Sequence, residues 1–348
     1  MQAALRPMNL GEILDRTFEL YRKKFWLFAG IAALPTAIIL AIHLADIVWI
    51  RPERWLAMKR DTEGTRIVRS WFFAYGFYHI SGFLGVLVQP AFVLVASRQL
   101  FGKSSSILGS LRFVIARWRT YLWIAFLKMF AQLFLPEALA FGLLIGCIYL
   151  SVKLPLFKQP AEIAILMLFI FAALFVAFFS IGIALAFAIP AAALEETSGW
   201  KALRRSWKLT RGCRGRILVA WFMATACALA LEGVVAFLAW WIATLILTGP
   251  HRAEFNRQVY EVVVYSFYAV IGAVVGPLYP IAVTLFYYDQ RSRKEGFDVE
   301  IMMEAAGLES VELGAIRPLS GRSADLEGAA GPQWPRILKF IRGLRGFD

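Results

Sequence analysis

The chain has 348 residues, of which 59% are hydrophobic and 18% are charged, and its formal net charge is +13. Soluble domains carry about 25% charged residues, and the apolar residues here lie in blocks long enough to cross a bilayer as helices. These numbers exclude a chain built only of soluble domains. Because the basic residues flank the apolar blocks, they favour anionic lipid rather than nucleic acid as a partner.

Six apolar blocks are predicted to be transmembrane helices, since backbone polar groups must be satisfied internally in lipid. The expected fold class is therefore all-α, a polytopic membrane helical bundle. The first block begins near Phe25 and is too long for the apolar part of a cleavable signal, so we expect it to remain as an anchor. The predicted spans are 25–49, 71–96, 121–150, 163–193, 217–247 and 259–288.

The distribution of lysine and arginine predicts the orientation of these spans. Basic residues are concentrated before the first span, after the second and fourth spans, and in the C-terminal segment. The positive-inside rule therefore predicts a multi-pass protein of a bacterial inner membrane with both termini in the cytoplasm. The loop after the first span opposes this prediction, because it carries six basic residues: Arg51, Arg54, Lys59, Arg60, Arg66 and Arg69.

An amphipathic stretch precedes each odd-numbered span, at a spacing of about 95 residues. This spacing predicts three repeated units, approximately 8–96, 104–195 and 198–290, each an interfacial helix followed by a transmembrane hairpin. Each even-numbered span also contains a proline, which is predicted to kink its helix. The alternative is that prolines are simply frequent in membrane helices. The three prolines are Pro90, Pro190 and Pro280.

The amphipathic stretches combine large apolar residues with a basic face, which is typical of helices that lie in the headgroup layer. In the first stretch, Asn9 and Glu12 predict a capping box. The alternative is that these stretches merely begin the spans. The predicted lipid-contact residues are Arg16, Arg22, Lys23, Lys24, Arg112, Arg119, Arg204, Arg205, Lys208 and Arg211.

Ionisable and amide side chains inside the spans form a possible intramembrane polar site, because such groups are costly in lipid and often functional. Glu137 and Glu232 lie 95 residues apart and are predicted to share one depth in two repeats. The simpler interpretation is that Lys128 extends to the cytoplasmic surface and the others lie near the outer boundary. The candidate residues are His43, Lys128, Gln132, Glu137 and Glu232.

The C-terminal segment differs from the predicted six-span domain, residues 1–303. Residues 304–333 are rich in Gly, Ala, Ser and Glu and are predicted to be a flexible cytoplasmic linker. Residues 334–348 alternate apolar and basic positions at helical spacing, which predicts a basic amphipathic helix that docks on the membrane. A protein-binding helix is the alternative.

The sequence contains no group of residues that predicts catalysis. His43, His79 and His251 are scattered, the three cysteines are far apart, and no glycine-rich phosphate loop is present. A hydrolase would need a nucleophile or metal with an acid–base partner. We therefore expect no catalytic, cofactor-binding or metal-binding residues, although an intramembrane enzyme stays a third possibility.

Three motifs resemble a bacterial membrane-protein family. The motifs are the segments Leu10–Phe18, Ala202–Leu209 and Tyr287–Asp298. They resemble the membrane domain of glycerophosphoryl diester phosphodiesterases and its many uncharacterised relatives. The resemblance covers about residues 5–303 and implies a multi-span helical domain. In the proteins that gave the family its name, catalysis belongs to a separate soluble barrel, so the resemblance implies no catalytic residue for these spans.

Two functional hypotheses follow. The first is a non-catalytic inner-membrane scaffold, assembly factor or accessory factor that contacts anionic lipid and other membrane proteins. The alternative is a transporter or lipid-handling protein that uses a site between the repeated hairpins.

Overall fold

A computed structural model describes residues 7–47, 63–153, 160–246 and 253–299. Within these ranges the regular elements are all helical, which confirms the all-α class. The predicted linker at 304–333 and helix at 334–348 lie outside the described residues. The helices are α1 (Leu10–Lys23), α2 (Phe25–Ala45), α3 (Glu63–Leu100), α4 (Ile107–Ala116), α5 (Trp118–Met129), α6 (Leu135–Lys153), α7 (Pro160–Ala184), α8 (Ala188–Leu194), α9 (Gly199–Thr210), α10 (Arg214–Ile246), α11 (Ala253–Val275) and α12 (Leu278–Glu295).

Six helical segments of the described chain are long and apolar enough to cross a membrane. This confirms the prediction of a multi-pass membrane protein with six spans. The sixth segment extends beyond the predicted end, to Glu295. The segments are Phe25–Ala45, His79–Leu100, Trp118–Gly146, Leu168–Leu194, Arg214–Ile242 and Tyr260–Glu295.

The short amphipathic helices have defined starts. The Asn9 carboxamide accepts a hydrogen bond from the Glu12 N–H at 2.8 Å, and the Glu12 carboxylate accepts one from the Asn9 N–H at 2.8 Å. The predicted capping box is therefore present. Ser106 caps α4 by accepting a hydrogen bond from the Gly109 N–H at 3.1 Å. These caps satisfy N–H groups that have no partner within the helix.

The spans pack as three neighbouring hairpins. Within the hairpins α2 contacts α3, α6 contacts α7 and α10 contacts α11. Between them α3 contacts α5, α7 contacts α10 and α11 returns to contact α2, so these contacts close a ring. Each amphipathic helix packs on the proline-bearing segment of a neighbouring span: α4 on α3, α9 on α8 and α1 on α12. The repeat of three equivalent units itself stays a prediction.

The core lies at one end of the bundle, where the segments that contain the three prolines meet. We call this the proline end. There α3, α8 and α12 contact one another, and the residues from Ala91 to Ala96 and from Ala188 to Leu194 are buried. Small residues on α8 allow the helices to approach closely. Toward the other end the spans expose large apolar side chains, such as Phe171 and Phe237, as expected for a surface in contact with lipid.

The three prolines do not have the same effect on the helices. Helix α7 ends at Ala184 and α8 begins only at Ala188, just before Pro190; likewise α11 ends ahead of Pro280 and α12 begins after an interruption. In contrast, α3 continues through Pro90. A proline has no N–H to donate to the carbonyl four residues earlier, so an interruption at this position leaves backbone groups that need other partners.

Candidate functional site

Hydroxyl groups of the amphipathic helices provide partners for the interrupted spans. Ser206 of α9 donates a hydrogen bond to the Ala184 carbonyl at 2.8 Å and accepts one from the Phe187 N–H at 3.0 Å. Thr210 also donates to the Ala184 carbonyl, at 3.3 Å. Tyr21 of α1 donates to a carbonyl near the end of α11. The amphipathic helices are therefore bonded into the bundle as well as packed on it.

Replacing Ser206 with alanine is expected to lower the free energy of unfolding by about 1–3 kcal/mol, because it leaves a buried N–H without an acceptor. Thermal unfolding in detergent would measure the loss. Ser266→Ala is the matched control, since the Ser266 hydroxyl donates only to the Val262 carbonyl of its own helix and its removal costs little. Equal effects of the two substitutions would contradict the assigned role of Ser206.

A cluster of ion pairs joins α8, α9 and α12 at the proline end. The guanidinium of Arg205 donates two hydrogen bonds to the two oxygens of Glu195, each at 2.9 Å, and a third to Glu295 at 2.7 Å. Burial disfavours the charged form of Arg205, but the hydrogen bonds to Glu295 and Glu195 outweigh it and raise the pKa of the guanidinium above its usual value. The guanidinium of Arg205 is therefore charged at neutral pH.

Arg291 is the second cation of this cluster, and it is 1% exposed. Its Nε lies 3.3 Å from Glu295 and 3.7 Å from Glu195. Its guanidinium lies 3.9 Å from the ring centroid of Phe297, within range of a cation–π interaction. The hydroxyl of Tyr287 donates to Glu195. Two arginines thus share two carboxylates, and the rings of Phe297 and Tyr287 lie beside them.

A second network is centred on Asp289 of α12, whose side chain is fully buried. Its carboxylate accepts hydrogen bonds from the Met8 N–H at 2.8 Å, from Arg216 at 2.7 Å and from Arg293 at 2.9 Å. The two arginines also donate to the Met8 carbonyl, at 3.1 and 2.8 Å. This network fixes the start of α1 against α10 and α12.

Lys294 joins the end of α9 to α12. Its ammonium donates hydrogen bonds to the carbonyls of Leu209 and Arg211, at 3.0 and 2.6 Å. A cation at the C-terminal end of a helix satisfies unpaired carbonyls and interacts favourably with the helix dipole. Arg205, Asp289, Arg291 and Lys294 therefore all bind groups of the protein itself.

Exposed tryptophans and cations form a collar around the proline end, at the junctions between the amphipathic helices and the spans. The guanidinium of Arg214 lies 4.9 Å from the ring centroid of Trp207, and that of Arg119 lies 5.7 Å from the ring of Trp118. Trp26, which follows α1, is 82% exposed. Tryptophan and arginine at this level of a membrane protein are typical of residues that contact headgroups.

The structure exposes most of the predicted lipid-contact residues at this collar. Arg22, Lys23, Lys24, Arg112, Arg119, Arg204, Lys208 and Arg211 are exposed. Arg16 is half-buried and pairs with Glu19 at 2.7 Å. Arg205 differs from these residues, because it is half-buried and its guanidinium binds two carboxylates inside the bundle. The helical rotation explains the difference: Arg205 lies about 100° around α9 from Arg204, on the side that faces α12.

The predicted intramembrane polar residues are divided between two seams of the bundle. His43 of α2 stacks on Tyr265 of α11 at 4.2 Å, and Glu232 of α10 lies close to Tyr268. Glu137 lies 3.7 Å from His79 of α3. The remaining residues, Lys128 and Gln132, lie on α5 and on the π-helical turn Phe130–Phe134 that follows it.

Sequence reasoning did not identify the members of the two charged networks as a group. Four of these members, Asp289, Arg291, Arg293 and Glu295, lie in the segment Tyr287–Asp298. The high density of charge directly after an apolar span is the sequence signal that could have identified them. Within the described ranges, no three His, Cys, Asp or Glu side chains converge as metal ligands. The arrangement at the proline end holds helices together, and its charged groups face one another.

Comparison with known proteins gives one result for this chain. Residues 78–310 match the model of the family described as the membrane domain of glycerophosphoryl diester phosphodiesterase. No curated protein and no solved structure matches the chain.

Proposed function

We propose, from the premise that the chain belongs to the family of the membrane domain of glycerophosphoryl diester phosphodiesterase, that it is a non-catalytic scaffold or accessory protein of a bacterial inner membrane. In this proposal the proline end faces the cytoplasm, so that both termini lie inside. Its collar binds anionic headgroups, and its apolar flanks contact other membrane proteins.

The observation that carries the proposal is the collar of exposed tryptophans and cations. Helix α9 presents Lys201, Arg204 and Lys208 outward while Ala202 and Ser206 are buried against the bundle. Each cation near an anionic leaflet contributes about 1 kcal/mol of attraction. A helix that is bonded to the bundle on one face and cationic on the other is suited to hold lipid beside the protein.

The ion-pair cluster supports a structural rather than a catalytic role. General acids and bases must reach a substrate proton, whereas Glu195 and Arg291 are buried and bind oppositely charged or aromatic partners. The cluster therefore stabilises the packing of α8, α9 and α12, the helices that support this part of the collar. The alternative, a transporter or lipid-handling protein, is favoured by a different observation, the buried Lys128.

Neutralising the outer face of α9 tests the proposal. We expect the variant Lys201→Gln, Arg204→Gln, Lys208→Gln to lose most of the rise in Tm that wild type shows when nanodiscs of phosphatidylcholine are replaced by nanodiscs containing phosphatidylglycerol. The lipid-dependent stabilisation that the variant loses should be on the order of 3 kcal/mol at low ionic strength and smaller in high salt. Differential scanning fluorimetry in both nanodiscs measures it.

A charge-preserving variant provides the control. Lys201→Arg, Arg204→Lys, Lys208→Arg keeps the three charges and should retain the response to phosphatidylglycerol. If the neutral variant responds to anionic lipid as strongly as wild type, the collar does not bind headgroups and the proposal is wrong.

A further inference from the structure

Lys128 is a buried cation in the middle of the third span. It lies ten residues after the exposed Trp118, which corresponds to about 15 Å along a helix, half the thickness of the hydrocarbon core. The residue is only 8% exposed. Within the described ranges, no group accepts a hydrogen bond from its ammonium or forms an ion pair with it.

Gln132 lies one helical turn beyond Lys128, in the π-helical turn Phe130–Phe134, which packs against α7. Its amide packs directly on Gly182 of α7, where a Cβ atom would collide with it. Glycine at this position therefore admits a polar side chain between two apolar spans. Within the described ranges the Gln132 amide also forms no hydrogen bond.

The π-helical turn determines which residue follows on this face. The Leu135 N–H bonds to the Phe130 carbonyl, five residues earlier, so the turn holds one more residue than an α-helical turn. This extra residue shifts the side chains that follow it around the helix axis. Glu137 then lies 3.7 Å from His79, whose ring stacks on Phe134 at 5.2 Å. Turns of this kind are frequent at functional sites.

The free-energy cost of burying Lys128 and Gln132 between apolar spans indicates the kind of ligand they bind. A buried ammonium without a counter-charge is strongly unfavourable in an apolar interior, and intramembrane cations usually face a partner or a pathway. The carboxylate of Glu137 already has His79 beside it. Lys128 and Gln132 are left as a charged and a neutral donor one helical turn apart, and two N–H donors at this spacing suit an oxyanion.

We propose that the seam between α5, the π-helical turn that follows it and α7 is an oxyanion-binding site in the middle of the membrane. The Lys128 ammonium supplies the charge and the Gln132 amide supplies a second donor. The ligand is an oxyanion, for which phosphate is the probe, either as a small soluble ion or ester or as a lipid headgroup drawn into the bundle. Sites near the midplane at helix interruptions are typical of proteins that move their ligands across the bilayer. This inference goes beyond the proposed scaffold and does not depend on the collar.

The test compares wild type with Lys128→Met in nanodiscs. In phosphatidylcholine, Tm is measured in sodium phosphate and in sodium chloride at equal ionic strength. In chloride, it is then measured with and without phosphatidylglycerol. We expect wild type to gain about 2 °C or more in the phosphate arm if the ligand is soluble, or in the lipid arm if it is a headgroup. Lys128→Met should lose that gain, and Lys128→Arg should keep it.

Two further variants make the result specific. Ser266→Ala removes a hydroxyl that bonds within its own helix, away from this seam, and should leave the phosphate gain unchanged, whereas Gln132→Leu should reduce it. The proposal is overturned if wild type gains in neither arm, or if Lys128→Met gains as much as wild type. A lipid gain that survives Lys128→Met and disappears in the neutral α9 variant belongs to the collar, and it overturns the proposal when the phosphate arm shows no gain that Lys128→Met loses.

Discussion

Replacing Arg291 with methionine is expected to lower the free energy of unfolding by about 3–5 kcal/mol, the cost of breaking a buried ion pair. The guanidinium is 1% exposed and lies between Glu195, Glu295 and the ring of Phe297. Removing it leaves Arg205 alone to neutralise two carboxylates that hold α8 to α12. Equilibrium unfolding in mixed micelles of mild detergent and dodecyl sulfate would measure the loss.

Arg204→Met is the matched control, since it removes the same charge from an exposed position and should cost less than about 1 kcal/mol. Arg291→Lys should fall between the two variants, because lysine restores the charge but neither the planar contact with Phe297 nor the fork of N–H donors. A loss in Arg291→Met no larger than that in Arg204→Met would show that the cluster does not hold the bundle together.

The number and placement of the spans could be predicted from sequence because hydropathy depends on composition alone. The predicted span 25–49 corresponds to Phe25–Ala45, and the predicted span 163–193 to Leu168–Leu194. The chemistry of lipid explains this success, since any segment that crosses the core must be both apolar and helical. The same reasoning could not find the interruption between Ala184 and Ala188, because Pro190 and Pro90 look alike in sequence while only the former is preceded by a break.

The partners of the charged residues could not be predicted, because they depend on contacts between distant parts of the chain. Arg204 and Arg205 are neighbours on a basic amphipathic helix, and their sequence context is the same. Only the position of Glu295, 90 residues away in the chain, decides that one binds carboxylates while the other stays exposed. The π-helical turn after Met129 is likewise invisible to a pattern based on 3.6 residues per turn, so the alignment of Glu137 with His79 had no signal in the sequence.

The two faces of α9 connect these observations. Ser206 and Arg205 bind backbone and carboxylate groups inside the bundle, whereas Lys201 and Lys208 are exposed on the opposite face. An interfacial helix held only by lipid would respond to headgroup charge without affecting the spans. In contrast, α9 is hydrogen-bonded to Phe187 at the start of α8 and to Glu295 of α12. The collar and the buried cluster are therefore parts of one structural unit.

Replacing Asp289 with asparagine is expected to destabilise the protein by about 3 kcal/mol and to release the start of α1 from the bundle. The carboxylate accepts hydrogen bonds from the Met8 N–H and from Arg216 and Arg293. The asparagine amide has an NH2 group in place of one carboxylate oxygen, so one of these three donors would face another donor. Both arginines would also lose their counter-charge. We expect a smaller loss than for Arg291, because Arg216 and Arg293 are partly exposed and water can solvate them.

Hydrogen exchange distinguishes this local effect from general destabilisation. In Asp289→Asn the amides of α1 should exchange faster than those of α8, whereas Arg291→Met should accelerate both helices together, since its cluster joins α8 to α12. Asp15→Asn removes the same charge from an exposed position on α1 and should leave exchange unchanged. If α1 stays as protected in Asp289→Asn as in wild type, packing of Ile13 and Leu20 rather than the buried carboxylate holds this helix on the bundle.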